Sequence, residues 1–106
     1  MLTLFLIDRA KADIRELHSY FVEHQSIQLA DRFVQAIYAS LHFLVEFPDS
    51  GAKHQSRIIK LQGIRNWTLR DFPRYVIYYR ISGELLQILR VLHGSRKANK
   101  LLSELN

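Results

Sequence analysis

Between Arg74 and Arg96 the sequence reads RYVIYYRISGELLQILRVLHGSR, two runs rich in Tyr, Val, Ile and Leu on either side of Ser82-Gly83. Glycine supplies the positive φ that a two-residue hairpin loop needs. The stretch therefore predicts two antiparallel strands on which the rest of a short chain must pack. Pairing Ile81 with Glu84 sets a register, and alternation along each strand then sorts the side chains. Tyr75, Ile77, Tyr79, Ile81, Leu86, Ile88 and Leu92 gather on one face, with Arg90 opposite Tyr75, and read as a core face. Arg74, Val76, Tyr78, Arg80, Leu85, Gln87, Leu89, Val91 and His93 gather on the other. That mixture of apolar and basic groups fits either a working surface or half-buried positions with snorkelling arginines.

The rest of the chain supplies what such a hairpin needs. Leu2 to Ile7 is a short apolar strand, long enough to be buried on both faces, and Asp8 reads as an N-cap. From Arg9 the period turns helical: Ala10, Ile14, Leu17 and Phe21, with Tyr20, form a stripe, and Lys11, Asp13, Arg15, Glu16 and Glu23 take the opposite side. Ser26 then caps a second helix with the stripe Leu29, Phe33, Ile37, Leu41 and Leu44, which Pro48 and the Asp49-Ser50-Gly51 turn bring to an end. Residues 52 to 62 carry Lys53, His54, Arg57 and Lys60 with no acid and read as a basic loop or a short irregular strand. Ile64 to Arg70 is a strand, and Ser95 reads as the cap of a final short helix running to Leu105. The expected fold is α+β: a two-helix antiparallel hairpin packed on a small, mostly antiparallel four-stranded sheet, with a short C-terminal helix.

A chain of 106 residues with 48% apolar content holds one core, so residues 1–106 are expected to form a single domain. The absence of cysteine excludes disulfides and thiol nucleophiles and points to a cytoplasmic setting. The opening MLTLFLI lacks a basic region before it and is cut short by Asp8-Arg9, so it reads as a strand and not as a targeting segment; no membrane association is expected. Charge is unevenly placed. Residues 1 to 49 carry four basic against seven acidic side chains, a net of −3, while residues 50 to 106 carry eleven against three, a net of +8. A positive C-terminal half suits an anionic partner, either nucleic acid or an acidic protein segment.

Most catalytic chemistries find no support in the residues. His18, His24, His42, His54 and His93 lack the close pairing of ligand motifs, so no metal is expected, and neither is a cofactor. No nucleophile elbow surrounds any serine, and four scattered glycines make no phosphate loop. What remains is the set Arg74, Arg80, Arg90, His93 and Arg96. Arginine's planar fork binds phosphate or carboxylate bidentately. His93 is suited to move a proton near neutral pH, or, more plainly, to hydrogen-bond backbone at a strand end.

Several segments carry a resemblance: a first strand passing into AKADIRELHSYF, a second helix ending in FLVEFPDSG, and above all RYVIYYRI followed by LQILRVLHGSRK. In these the chain resembles the RelE/ParE superfamily of bacterial type II toxins, and in the last two the ParE branch, also called plasmid stabilisation proteins. The resemblance implies a small basic toxin held inactive by a cognate antitoxin whose C-terminal segment wraps over helices and sheet. Members of the RelE branch cleave mRNA on the ribosome, and members of the ParE branch block DNA gyrase. Arg74 and Arg96 match arginines that line the ribonuclease site of the RelE branch. Asn66 and Thr68 stand where those ribonucleases place lysines, and no aromatic residue follows Tyr79 to match the tyrosine several of them use.

Three functions follow as expectations. The first is a gyrase-directed toxin with no reaction of its own, whose target-binding residues are Arg74, Arg80, Arg90, His93 and Arg96. The second is a ribosome-dependent endoribonuclease acting on mRNA through Arg74, His93 and Arg96. The third is a non-toxic relative that only binds its antitoxin. Antitoxin contact is expected on the exposed parts of both long helices and on Leu85, Leu89 and Val91, because an apolar surface of this kind is usually covered by a partner. A homodimer or a toxin–antitoxin hetero-oligomer fits the same surface.

Overall fold

Strand β1 (Thr3–Leu6) leads into helices α1 (Asp8–His24) and α2 (Ile27–Glu46); β2 (Ala52–Lys53), β3 (Arg65–Thr68), β4 (Tyr75–Ser82), β5 (Leu85–His93) and α3 (Ala98–Ser103) follow. The structure, a computed structural model, describes residues 1–105. The strands form one sheet in the order β1-β5-β4-β3-β2, in which β1 and β5 are parallel and the other pairs antiparallel. The fold is α+β as expected, with five strands instead of four. The additional strand is the Ala52–Lys53 pairing with Asn66 and Arg65, too short for any periodicity to mark it within a basic, acid-free segment.

Helices α1 and α2 form an antiparallel hairpin that covers one face of the sheet. Ala10, Ile14 and Phe21 of α1 and Ala30, Phe33, Ile37, Leu41 and Leu44 of α2 meet Leu69, Ile77, Tyr79, Leu86, Ile88 and Val91 of the sheet side. Phe21 and Phe33 stack at 4.7 Å, and both rings lie against Phe72 and Tyr75, an aromatic cluster whose area and edge-to-face geometry fix how the helices sit. On the other face a smaller cluster of Leu61, Ile64, Tyr78, Leu89, Leu92 and Leu102 is closed by a 3-10 turn at Ile59–Leu61 and by α3. Among the described residues no helix is long and apolar enough to cross a membrane.

Local chemistry explains where elements start and where the expected caps fail. Ser26 Oγ accepts the Leu29 N–H at 3.0 Å, as an N-cap serine does. Asp8 is the first helical residue and makes no capping bond; the N-cap is Ile7, and the Asp8 carboxylate favours the positive end of the helix dipole. Ser95 does not cap α3, whose N-cap is Lys97; it turns back to His93. β1 is an edge strand and not doubly buried, so Thr3 and Phe5 are exposed while Leu4 and Leu6 pack inward.

The hairpin departs from the expected register in two ways with different consequences. Ser82 pairs with Leu85, which leaves Gly83-Glu84 as the loop, with Gly83 at φ +59° in the first loop position that a type II′ turn requires. This is a two-residue shift from the Ile81–Glu84 pairing, and a shift of two leaves every side chain on its own face. Tyr79 pairs with Ile88, but Tyr78 pairs with Arg90, so Leu89 is an extra residue in a β-bulge. Beyond it all faces exchange. Val91 and His93 lie on the helix side, opposite Ile77 and Tyr75, and Leu92 lies on the α3 side, opposite Val76.

Candidate functional site

The open end of the β4–β5 hairpin gathers three of the five basic residues singled out from sequence. Arg74 directly precedes β4, and its carbonyl accepts the Gly94 N–H at 2.6 Å, which ties the start of one strand to the end of the other. The turn continues through the Arg96 N–H to the His93 carbonyl at 2.9 Å, so Arg74, His93 and Arg96 sit on adjoining segments. The β5 ladder carries His93, and its ring meets Tyr75 edge to face at 5.1 Å. Its Nδ1 accepts the Ser95 N–H at 3.0 Å and lies 2.7 Å from Ser95 Oγ. In the neutral ring the proton is thereby assigned to Nε2.

Arg74 and His93 line a cleft of about 460 Å³ whose other walls include Tyr20, Asp71, Phe72 and Tyr75, and Arg96 stands on the adjoining turn outside that lining. Burial pushes the Tyr75 phenol up, the neighbouring Tyr20 adds to the shift and Arg74 opposes it, so Tyr75 is a neutral hydrogen-bonding group near neutral pH. Arg74 and Arg96 are exposed, and among the described residues neither is in an ion pair. An aromatic wall beside the free Arg74 guanidinium, with the exposed Arg96 on the adjoining turn, can bind an anion, or the acidic surface of a macromolecule, by charge and stacking.

Arg80 and Arg90 do not join this cluster. Arg80 lies six residues along β4, about 20 Å away at the usual rise per residue, where its Nε donates to Gln87 Oε1 at 3.1 Å across the strands. Arg90 is 3% exposed, with its Nε and Nη2 on the two carboxylate oxygens of Asp13 at 2.7 and 2.8 Å. A guanidinium so enclosed cannot reach a target. The antitoxin-contact set contracts in the same way, because Leu89 is buried beneath α3 and Val91 lies in the helix-side core, which leaves Leu85 half-buried at the hairpin end.

Two features escape the sequence reading. Asp13 is buried, although its charge assigns it to the polar side of the first helix; its spacing of three from Ala10 and four from Leu17 puts it on the apolar stripe, and an acid on such a stripe signals a buried partner. An exposed aromatic step at the end of α2 stacks Phe43 on Phe47 and on Trp67 at 5.1 and 5.3 Å. It borders a groove of about 590 Å³ lined by Ala36, Ala39, Phe43, Trp67 and Arg70. Among the described residues no group of His, Asp or Glu is clustered to hold a metal.

No curated protein sequence matches the chain. A solved structure described as a chromosomal ParDE TA system from P. aeruginosa superposes with a TM-score of 0.74 at 26% identity, covering 88% of this chain and 96% of that one. The family model for the ParE toxin of type II toxin-antitoxin system, parDE, matches residues 4–98, which takes in both long helices, the sheet apart from Thr3 and the strand ends that carry Arg74, His93 and Arg96. The chain belongs to the ParE toxin family of the RelE/ParE superfamily.

Proposed function

We propose that this toxin-family chain binds DNA gyrase and blocks it without catalysing a reaction of its own, and that a small cognate antitoxin neutralises it. The observation that carries this reading is how the sheet divides its polar groups. His93 lies on the helix side of the sheet, opposite Tyr75. Asn66 and Thr68, at the positions where ribonucleases of the RelE branch place lysines, pair with Tyr78 and Val76 and share the α3 side with them. Phosphate cations and proton-transfer groups must converge on one scissile bond to cleave it. Groups divided between two faces do not converge. Exposed Arg74 at an aromatic cleft, with exposed Arg96 on the adjoining turn, instead suits docking on a large partner, where charge steers the encounter and apolar area holds it.

Antitoxin contact falls to the exposed helix faces, foremost the α2 groove at Phe43 and Trp67, with Leu85 at the hairpin end. The test is a paired assay on one preparation released from its antitoxin, with gyrase supercoiling in one tube and coupled translation with mRNA mapping in the other. Inhibited supercoiling with intact mRNA is expected, and the inhibition should fall at least tenfold in Arg74→Ala/Arg96→Ala. Codon-positioned cuts in mRNA with normal supercoiling would replace this reading with a ribonuclease.

A further inference from the structure

We infer that Asp13 and Arg90, neither of which lines the cleft, are the positioning residues of the Arg74–His93–Arg96 site, because their ion pair fixes the one-residue offset that turns His93 toward Tyr75. The functional weight of the inference rests on the reading above; its structural content does not.

Two registers are open to the hairpin beyond its turn. Continuing the pairing seen from Ser82–Leu85 to Tyr79–Ile88 would set Tyr78 against Leu89, Ile77 against Arg90, Tyr75 against Leu92 and Arg74 against His93. Arg90 would then face the helix-side core beside Ile77, and His93 would point to the α3 side. The observed register inserts Leu89 as a bulge and pairs Ile77 with Val91 and Tyr75 with His93. Val91 enters the core, 1% exposed, at the place the regular ladder would have given to a charge.

The bulge delivers Arg90 to the open edge of β5. β1 ends there: its last bond to β5 is the Ile7 N–H to the Ile88 carbonyl at 3.1 Å. Past that point Asp13 takes over the role of a neighbouring strand. Its Oδ2 accepts the Val91 N–H at 3.0 Å and Arg90 Nε at 2.7 Å, and its Oδ1 accepts Arg90 Nη2 at 2.8 Å. Arg9 approaches the same carboxylate at 3.5 Å. One buried carboxylate thus satisfies a backbone donor of the bulged strand and a bidentate guanidinium at once, and this arrangement exists in one register and not in the other. The arms of the hairpin downstream of it, including the Gly94-to-Arg74 bond and the His93–Ser95 turn, inherit that choice.

The decisive variant is Asp13→Leu/Arg90→Leu, which removes both charges and makes residue 90 acceptable opposite Ile77. Cross-strand proton NOEs are expected to move from the 78/90 and 75/93 pairs to 77/90 and 75/92. The His93 ring protons should lose their Tyr75 ring-current shift, and growth inhibition on expression should fall at least tenfold. Deleting Leu89 in that background should restore both, because a regular ladder then sets the substituted position 90 against Tyr78 and His93 against Tyr75. Arg90→Lys retains the charge and tests the same point in a minimally altered chain: the Val91 amide should exchange at least tenfold faster, since lysine cannot hold the carboxylate bidentately. Retention of the Tyr75–His93 NOE in the folded double variant, or an unchanged Val91 exchange rate in Arg90→Lys, would overturn the inference. If the NOEs move as expected while inhibition survives both there and in Arg74→Ala/His93→Ala, the positioning role stands and the site reading fails.

Discussion

The two halves of the β4–β5 hairpin are built from the same kinds of residue and obey different rules. In the turn half, from Tyr79 and Ile88 to the loop, tyrosine and aliphatic side chains alternate with polar ones, and the ladder is regular. In the open half Tyr75 to Tyr78 is an unbroken apolar run facing Leu89-Arg90-Val91-Leu92-His93, and there β5 shifts by one residue so that its faces exchange. The difference is a single buried ion pair. Arg80 in the turn half reaches only Gln87 and leaves the ladder undisturbed, whereas Arg90 in the open half has a carboxylate waiting at the sheet edge. Register follows hydrophobic alternation until a charge finds a buried partner that alternation would deny it.

The comparison breaks first at Asp13. Asp13→Ala leaves the Arg90 guanidinium buried without its partner and should cost about 3–5 kcal/mol, read as a lowered midpoint in urea unfolding followed by circular dichroism. A cost near zero would mean that Arg90 reaches water easily and that the two halves do not differ in kind.

Next comes Tyr79, the last regular position before the bulge. Its hydroxyl accepts the Gly51 N–H at 2.9 Å and donates to the Pro48 carbonyl at 2.7 Å, which anchors β4 to the turn after α2. Gly51 must be glycine here, since a Cβ would collide with that hydroxyl and with the Asn66 carbonyl. Tyr79→Phe strands these partners and should cost about 1–3 kcal/mol. Burial raises the Tyr79 pKa, with the Gly51 hydrogen bond and Arg65 opposing, so the folded state holds the phenolic proton more tightly than the unfolded chain. The stability this confers is complete below the unfolded value near 10 and is lost as pH rises through the folded pKa. Tyr75 and Tyr78 are raised as well, so Tyr79→Phe should show a shallower alkaline loss of stability than the parent and not a flat one. An identical alkaline profile would remove Tyr79 from that account.

The smallest effects on stability sharpen the functional side. Arg74→Ala and Arg80→Ala are both expected to stay within about 0.5 kcal/mol of the parent. The first should lower toxin activity at least tenfold and the second should leave it unchanged, because they stand at opposite ends of the hairpin. Equal losses of activity would show that the whole face acts together.

What the sequence makes legible divides along the same line. The helix stripes, the Ser26 cap and the hairpin are visible because each is local, a matter of period or of one turn. Arg90, Val91 and Leu92 lie in surroundings that alternation does not predict, because the bulge depends on Asp13, 77 residues away from Arg90 along the chain, whereas Leu89 stays on the face of Val76 and Tyr78 and is covered by α3. Arg74 and Arg96 come together regardless, since they occupy neighbouring strand ends in either register. His93 changes faces. β2 falls in the segment read as a basic loop or a short irregular strand, and two residues carry too little pattern to decide between them.

The most direct test is a proton NOE spectrum of the wild-type chain at the open end of the hairpin. The offset register requires contacts between the rings of Tyr75 and His93 and between the backbones of Ile77 and Val91. Contacts of Tyr75 with Leu92 and of Ile77 with Arg90 would mean that the ladder runs regularly from the turn, that Asp13 does not set it, and that His93 belongs to the opposite face.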